Sequence, residues 1–216
     1  MAQDSKPVRR PYAKTAERRA TIGRAALAVV RERGHRALTT AEVAERAGIS
    51  EATMLYHFPT RDHLLVAALH ASTEDQTQLV ASQALTEMPG PDQLAGIIAR
   101  DAMRDDKVAH LFASLSAEAT NPEHPAHEYF QDHYRTARFH LARIVRARQA
   151  TGKAHPDLDA DAIARQLMAI WTGLQAQWLV EPEFDLANEI EVAFRQLTGQ
   201  SAVEAKRAID DAMTRL

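Results

Sequence analysis

The 216-residue chain is 45% hydrophobic and 25% charged, a globular composition that excludes a disordered or low-complexity polymer, and it has no cysteine, which excludes disulfides and thiolate metal ligation. Its net charge of −3 is unevenly spread: residues 1–70 hold 12 Lys/Arg against 7 Asp/Glu, whereas residues 71–216 hold 14 against 22. A basic head on an acidic body predicts a polyanionic partner for the head alone.

Residues 1–14 carry Lys6, Arg9, Arg10 and Lys14 with two prolines and read as a flexible basic arm. A first helix is predicted over 15–33, because Ile22, Ala25, Ala26, Val29 and Val30 recur at helical spacing, and Gly34 reads as its left-handed stop. A short helix is predicted over 40–47, with Thr39 as N-cap and Glu42 completing a capping box. Gly48-Ile49-Ser50 follows: a glycine free to take positive φ, an apolar plug and a cap. A third short helix is predicted over 51–57, ending ahead of Pro59, with Met54 and Phe58 turned inward. One longer helix and two short ones joined by a glycine turn are the helix-turn-helix plan.

Beyond residue 60 the pattern stays helical. Helices are predicted from 61 into the low 80s and then over 92–103, 106–119, 126–150, 158–180, 186–198 and 202–214, separated by proline and glycine breakers. No apolar run approaches the roughly 18 residues that cross a bilayer, and the N-terminus lacks the apolar core of a signal peptide. The expectation is an all-α cytoplasmic protein without a membrane partner: basic arm 1–14, helix-turn-helix domain 15–60, and a helical domain 61–216.

Residues 39–64 read TTAEVAERAGISEATMLYHFPTRDHL, and this stretch resembles the TetR/AcrR family of transcriptional repressors. The resemblance rests on Thr39, Val43-Ala44, Ala47-Gly48-Ile49-Ser50, Thr53, Tyr56-His57-Phe58, Pro59, Thr60 and Arg61, with Ala25-Ala26-Leu27 and Gly34 in the first helix. Residues 157–198, with Trp171-Thr172-Gly173-Leu174 and Trp178-Leu179, resemble the paired helices by which such repressors dimerise. The resemblance implies that 61–216 is the ligand-binding and dimerisation domain, and that the protein is a homodimer on a double-stranded, palindromic DNA operator, released by a small-molecule effector. It implies that the helix over 51–57 enters the major groove, that Thr39, Thr40, His57 and Arg61 touch phosphates, and that Ala52 and Thr53 face bases, with Tyr56 reaching either. Ser50, at a helix N-terminus, suits a phosphate, and Thr53 can bond base edges or pack its methyl on thymine. The chain departs from the family pattern at Leu55, where many members have tyrosine, and at Glu51, where many have Lys or Arg. Glu51 repels phosphate but can accept from cytosine N4. Arg9 and Arg10 are candidates for the minor groove.

For the effector, Met103, Leu111, Phe112, Leu115, Phe139, Met168 and Trp171 (with Trp178) supply apolar and aromatic surface, and His133 and Gln175 (with His110 and His140) supply polar contacts; a largely apolar ligand is expected. His124, His127 and Glu128 invite a metal reading, but Pro125 interrupts them and no HExxH occurs, so neither metal nor cofactor is expected. Two rivals to a regulator are weighed. An enzyme lacks support, since there is no GxSxG, phosphate-cradling glycine loop or cysteine nucleophile. A DNA-coating protein without site preference differs only in binding behaviour.

Overall fold

The computed structural model describes residues 10–84 and 103–214, and every regular element among them is helical. Helix α1 spans Arg10–Arg33, a 3-10 turn occupies His35–Ala37, and α2 (Thr40–Arg46) and α3 (Glu51–His57) complete the head. The body continues with α4 (Arg61–Ala84), α5 (Asp106–Glu118), α6 (Ala126–Ala150), α7 (Ala160–Val180), α8 (Leu186–Leu197) and α9 (Gln200–Thr214). The all-helical expectation holds. Residues 1–9, including Arg9, and all but Met103 of the helix expected over 92–103 lie outside the described residues.

Helix α1 starts at Arg10, ahead of the expected 15, so the last part of the expected flexible arm is helical. Pro11 sits in the first turn, where the helix needs no N–H from it. Gly34 stops α1 with positive φ, as expected, but not in the left-handed helical region: φ 81° and ψ 160° put it in an extended region reserved for glycine, and the chain passes straight into the 3-10 turn. Thr39 caps α2 by accepting from the Glu42 N–H at 3.3 Å. Glu42 does not return the bond; its carboxylate takes Arg33 at 2.8 Å and Arg46 at 3.2 Å instead. Charged donors make stronger bonds to a carboxylate than a backbone amide does.

Packing explains how the head is held. Val43, Ala44, Met54 and Phe58 close on Ile22, Val29 and Val30 of α1 and on Leu64, Leu65 and Ala68 of α4. The same cluster continues through Leu111 and Leu115 of α5 to Tyr129 and Phe130 of α6. The core therefore runs through the boundary expected at residue 60, and α4 serves both sides. Gly23 of α1 lies against Ala67 of α4, and Arg31 meets Asp75 at 3.0 Å, so the two helices run in the same direction. Further along, Ala142 and Val145 of α6 pack on Ile163, Ala164 and Leu167 of α7 and on Phe194 of α8. Arg148, 1% exposed, donates to Gln200 Oε1 at 2.8 Å and lies 5.3 Å from the Phe194 ring centre, joining α6 to α8 and α9; burial lowers its pKa.

Candidate nucleic-acid interface and effector site

Helix α3 has one face in the core and one in solvent. Met54 is fully buried and Phe58 nearly so, while Glu51, Ala52, Thr53, Leu55 and Tyr56 are exposed and His57 is half-buried. Tyr56 is 84% and Leu55 40% exposed, so the outer face of α3 carries the large exposed apolar side chains of the head. The turn before α3 depends on Gly48 at φ 65°. Ser50 then caps α3 by accepting from the Thr53 N–H at 3.2 Å, and its hydroxyl also pairs with the Thr53 hydroxyl at 2.8 Å. Thr53 is thus held in one rotamer by its own cap, a fixed position from which to meet a base edge.

Thr40, which the resemblance sets against a phosphate, bonds to Glu51, where the chain departs from the family pattern. The Thr40 hydroxyl donates to Glu51 Oε1 at 2.5 Å, pinning the first residue of α3 to the first of α2. The Glu51 carboxylate is thereby drawn toward α2. Thr39 and Ser50 remain exposed beside it, at the two helix N-termini where backbone N–H groups and the dipole favour phosphate.

Arg61 sits otherwise than expected. Its Nε donates to the Leu38 carbonyl at 3.1 Å and its Nη2 to the His35 carbonyl at 2.6 Å, so the guanidinium closes the 3-10 turn at the back of the head. The His35 carbonyl also accepts from the Leu38 N–H at 3.3 Å, so both carbonyls lie close to the first turn of α4 and take the fork that a phosphate was expected to hold.

Two residues that the sequence reading missed hold the head in place. Arg19 Nη1 donates to the His57 carbonyl at 2.6 Å and its guanidinium lies 4.2 Å over the Phe58 ring, so a cation from α1 closes the C-terminus of the recognition helix. Lys107 of α5 donates to the Arg31 and Glu32 carbonyls at 3.1 and 2.7 Å, capping α1 from the body. Both bonds span more than 35 residues and carry no local signature; only the positive charge itself was visible.

The structure distributes the nine effector candidates over several places. Leu111 and Leu115 are wholly inside the head–body core, 0% and 1% exposed. Phe112 and His133 belong to an aromatic cluster with Tyr129, Phe130 and Tyr134; the Phe112 ring lies 4.9 Å from Phe130 and 5.1 Å from His133. Burial lowers the His133 pKa and raises that of Tyr129. Gln175 is buried with its amide 3.7 Å from Met103 Sδ, beside Trp171 and the apolar face of α8. Met168 lines a trough of about 800 Å³ between α6 and α7. Phe139 lies on the surface, 58% exposed, with Arg143 over its ring. The histidines around the α5–α6 turn serve the scaffold: His127 Nδ1 donates to the Ala119 carbonyl at 2.8 Å, and His124 Nδ1 accepts from the Ala126 N–H at 3.2 Å.

Comparison with known proteins points the same way as this geometry. A family described as "Bacterial regulatory proteins, tetR family" matches residues 22–68, and a second, described as "BetI-type transcriptional repressor, C-terminal", matches residues 94–202. The chain is 27% identical over 203 residues to the HTH-type transcriptional repressor KstR of Rhodococcus jostii, covering 86% of this chain and 85% of that one. A TetR-family transcriptional regulator from a Rhodococcus species superposes with a TM-score of 0.66 at 25% identity, covering 85% of this chain and 99% of the other. Thermus thermophilus FadR, a TetR-family repressor solved with lauroyl-CoA, superposes with a TM-score of 0.58 at 24% identity, covering 83% and 92%.

Proposed function

Since the chain belongs to the TetR family of bacterial regulatory proteins and is a ligand-responsive helix-turn-helix transcriptional repressor, we propose that it acts as a homodimer on a palindromic operator and is released by a small, largely apolar effector. The observation that carries this reading is the exposed edge of α3, with Thr53 and Tyr56 outward and Met54 and Phe58 locked behind. An α-helix fits the major groove, and a rigid helix with its outer side chains pre-set loses little entropy on docking. Ala52, Thr53 and Tyr56 meet bases in this reading; Thr39, Thr40, Ser50 and His57 face phosphates. Glu51, held by Thr40, keeps a negative charge near the backbone and so favours sites whose base contacts offset it.

Two copies of α3 must reach successive major grooves on one side of the duplex, about 34 Å apart. Apolar surface that supports pairing lies in the C-terminal half: Val180 is 87% exposed, and Ile209 and Met213 are also open. An effector lowers DNA affinity only by binding better to the arrangement in which the two heads no longer match that spacing. Lys107 and the shared core through α4 supply a rigid path by which a shift of the body reaches the head. Among the described residues no helix is long and apolar enough to cross a membrane.

The test is base discrimination. Thr53→Ala and Tyr56→Ala are exposed substitutions that leave melting unchanged, and each reduces preference for the chosen site over a scrambled duplex by about 1–3 kcal/mol, read by fluorescence anisotropy. Full discrimination in both variants would show that α3 is not the reading element.

A further inference from the structure

Glu51 is exposed at the start of α3, and Thr40 is part-buried at the start of α2, the helix before it. Their 2.5 Å bond uses Oε1 and leaves the second carboxylate oxygen, Oε2, without a partner among the described residues. We infer that the two side chains form one reading unit, in which Thr40 positions Glu51 to accept from the N4 amino group of a cytosine in each operator half-site. This deepens the reading of α3 above and rests on it. Thr40 is then a positioning residue. A hydroxyl has a single proton, and Thr40 gives its proton to Glu51, so none is left for a phosphate oxygen.

The charge of Glu51 stays in place. The arginines in and ahead of α2 are committed elsewhere: Arg33 to Glu42 at 2.8 Å, and Arg46 to Glu32 and Glu42 at 2.6 and 3.2 Å. Thr40 is a neutral donor, so it fixes the direction of the carboxylate without neutralising it. Leu55 lies one turn further along the same edge of α3 and is 40% exposed. An edge made of a carboxylate and an isobutyl group offers nothing to a phosphate, and against the DNA backbone its charge is repelled. Turned to the bases, the same edge meets donors. An ionised carboxylate only accepts, and the donors in the major groove are cytosine N4 and adenine N6. Adenine sets its N7 acceptor beside that donor, against the negative charge; cytosine does not. The open Oε2 therefore selects cytosine.

Anchorage is what separates this arrangement from an ordinary surface glutamate. A glutamate on an open surface samples many rotamers, and ordering it on docking costs entropy. The Thr40 bond orders it before DNA arrives, and because the bond joins α3 to α2, both helices of the motif set the position of the carboxylate. An acid in the first turn of a helix also suits the helix dipole. That benefit depends on charge and is shared by aspartate, whereas a base contact depends on the reach of the longer side chain from its anchored position.

The experiment selects bound duplexes from a random library with the full-length protein, then measures by fluorescence anisotropy every base pair in turn at each half-site position of the selected sequence. The unaltered protein is expected to prefer cytosine at one position per half-site by about tenfold over the other bases. Glu51→Gln, whose amide donates as well as accepts, and Glu51→Asp, which keeps the charge but is shorter, are both expected to lose that preference. Glu51→Gln also binds a scrambled duplex more tightly, because a repulsion is gone. Thr40→Val, of the same shape without the hydroxyl, is expected to reduce the preference at that position roughly threefold or more, and Thr40→Ser to restore it, with melting curves checking the fold of each variant. Uniform weakening of all duplexes by Thr40→Val makes Thr40 a phosphate contact and overturns the inference. So does a cytosine preference that survives in both Glu51 variants, or a selected motif with no such position; the motif itself then leaves the reading of α3 standing. A selection that yields no motif overturns both.

Discussion

Glycine-to-alanine substitution at positions 23 and 173 is the same chemical change with opposite expected signs. Both glycines are in helix interiors, where alanine gains about 1 kcal/mol of helix propensity. At Gly173 nothing opposes the gain, because the new Cβ enters open space. At Gly23 the new Cβ lies 3.0 Å from the Ala67 carbonyl oxygen, a backbone atom in α4 that cannot turn aside. Relief needs α1 and α4 to part by a few tenths of an ångström along a buried seam, and overpacking of this kind costs about 1–3 kcal/mol. The net expectation is about 1 kcal/mol lost at position 23 and about 1 kcal/mol gained at position 173. For a chain of this length each corresponds to a Tm change of about 2–4 °C, in opposite directions. Differential scanning calorimetry at fixed protein concentration reads both. If Gly23→Ala stabilises as much as Gly173→Ala, the close approach of α1 and α4 is wrong, and with it the account of how the head is fixed to the body.

Gly48→Val places a β-branched residue at φ 65° with space around it, so the cost is backbone strain alone, about 2 kcal/mol, and DNA binding weakens as the turn distorts. Arg61→Ala removes two charge-assisted bonds to the 3-10 turn; thermal melting should fall by the equivalent of about 2 kcal/mol, while the salt dependence of DNA binding keeps its slope, since no phosphate contact is lost. Burial lowers the pKa of His35 and His133 below the ordinary 6.5, so near that pH the unfolded chain takes protons before the folded one. Stability is therefore complete above about pH 6.5 and declines as pH falls through it, and His133→Gln removes its share of that decline in pH-dependent melting curves.

The head was legible because its determinants are local. Thr39, Gly48, Ser50 and the inward Met54 and Phe58 each obey a rule that spans only a few residues, and the rules agree. What escaped the sequence is long-range: Arg19 on the His57 carbonyl, Lys107 on the end of α1, and the arginines that take Glu42 from its capping box. Arg61 was misjudged for the same reason, since its carbonyl acceptors precede it by 23 and 26 residues. The effector candidates were chosen by residue type, which does not distinguish core from cavity; Leu111 and Leu115 lie fully in the core, and Phe139 lies on the surface.

The central claim is tested most directly by selecting bound duplexes from a random library and sequencing them. The account predicts a palindrome whose half-sites lie one helical turn apart, with the Thr53→Ala protein selecting an altered half-site. Salt-sensitive binding with no motif would contradict it, and would mean that the exposed edge of α3 grips DNA without reading it.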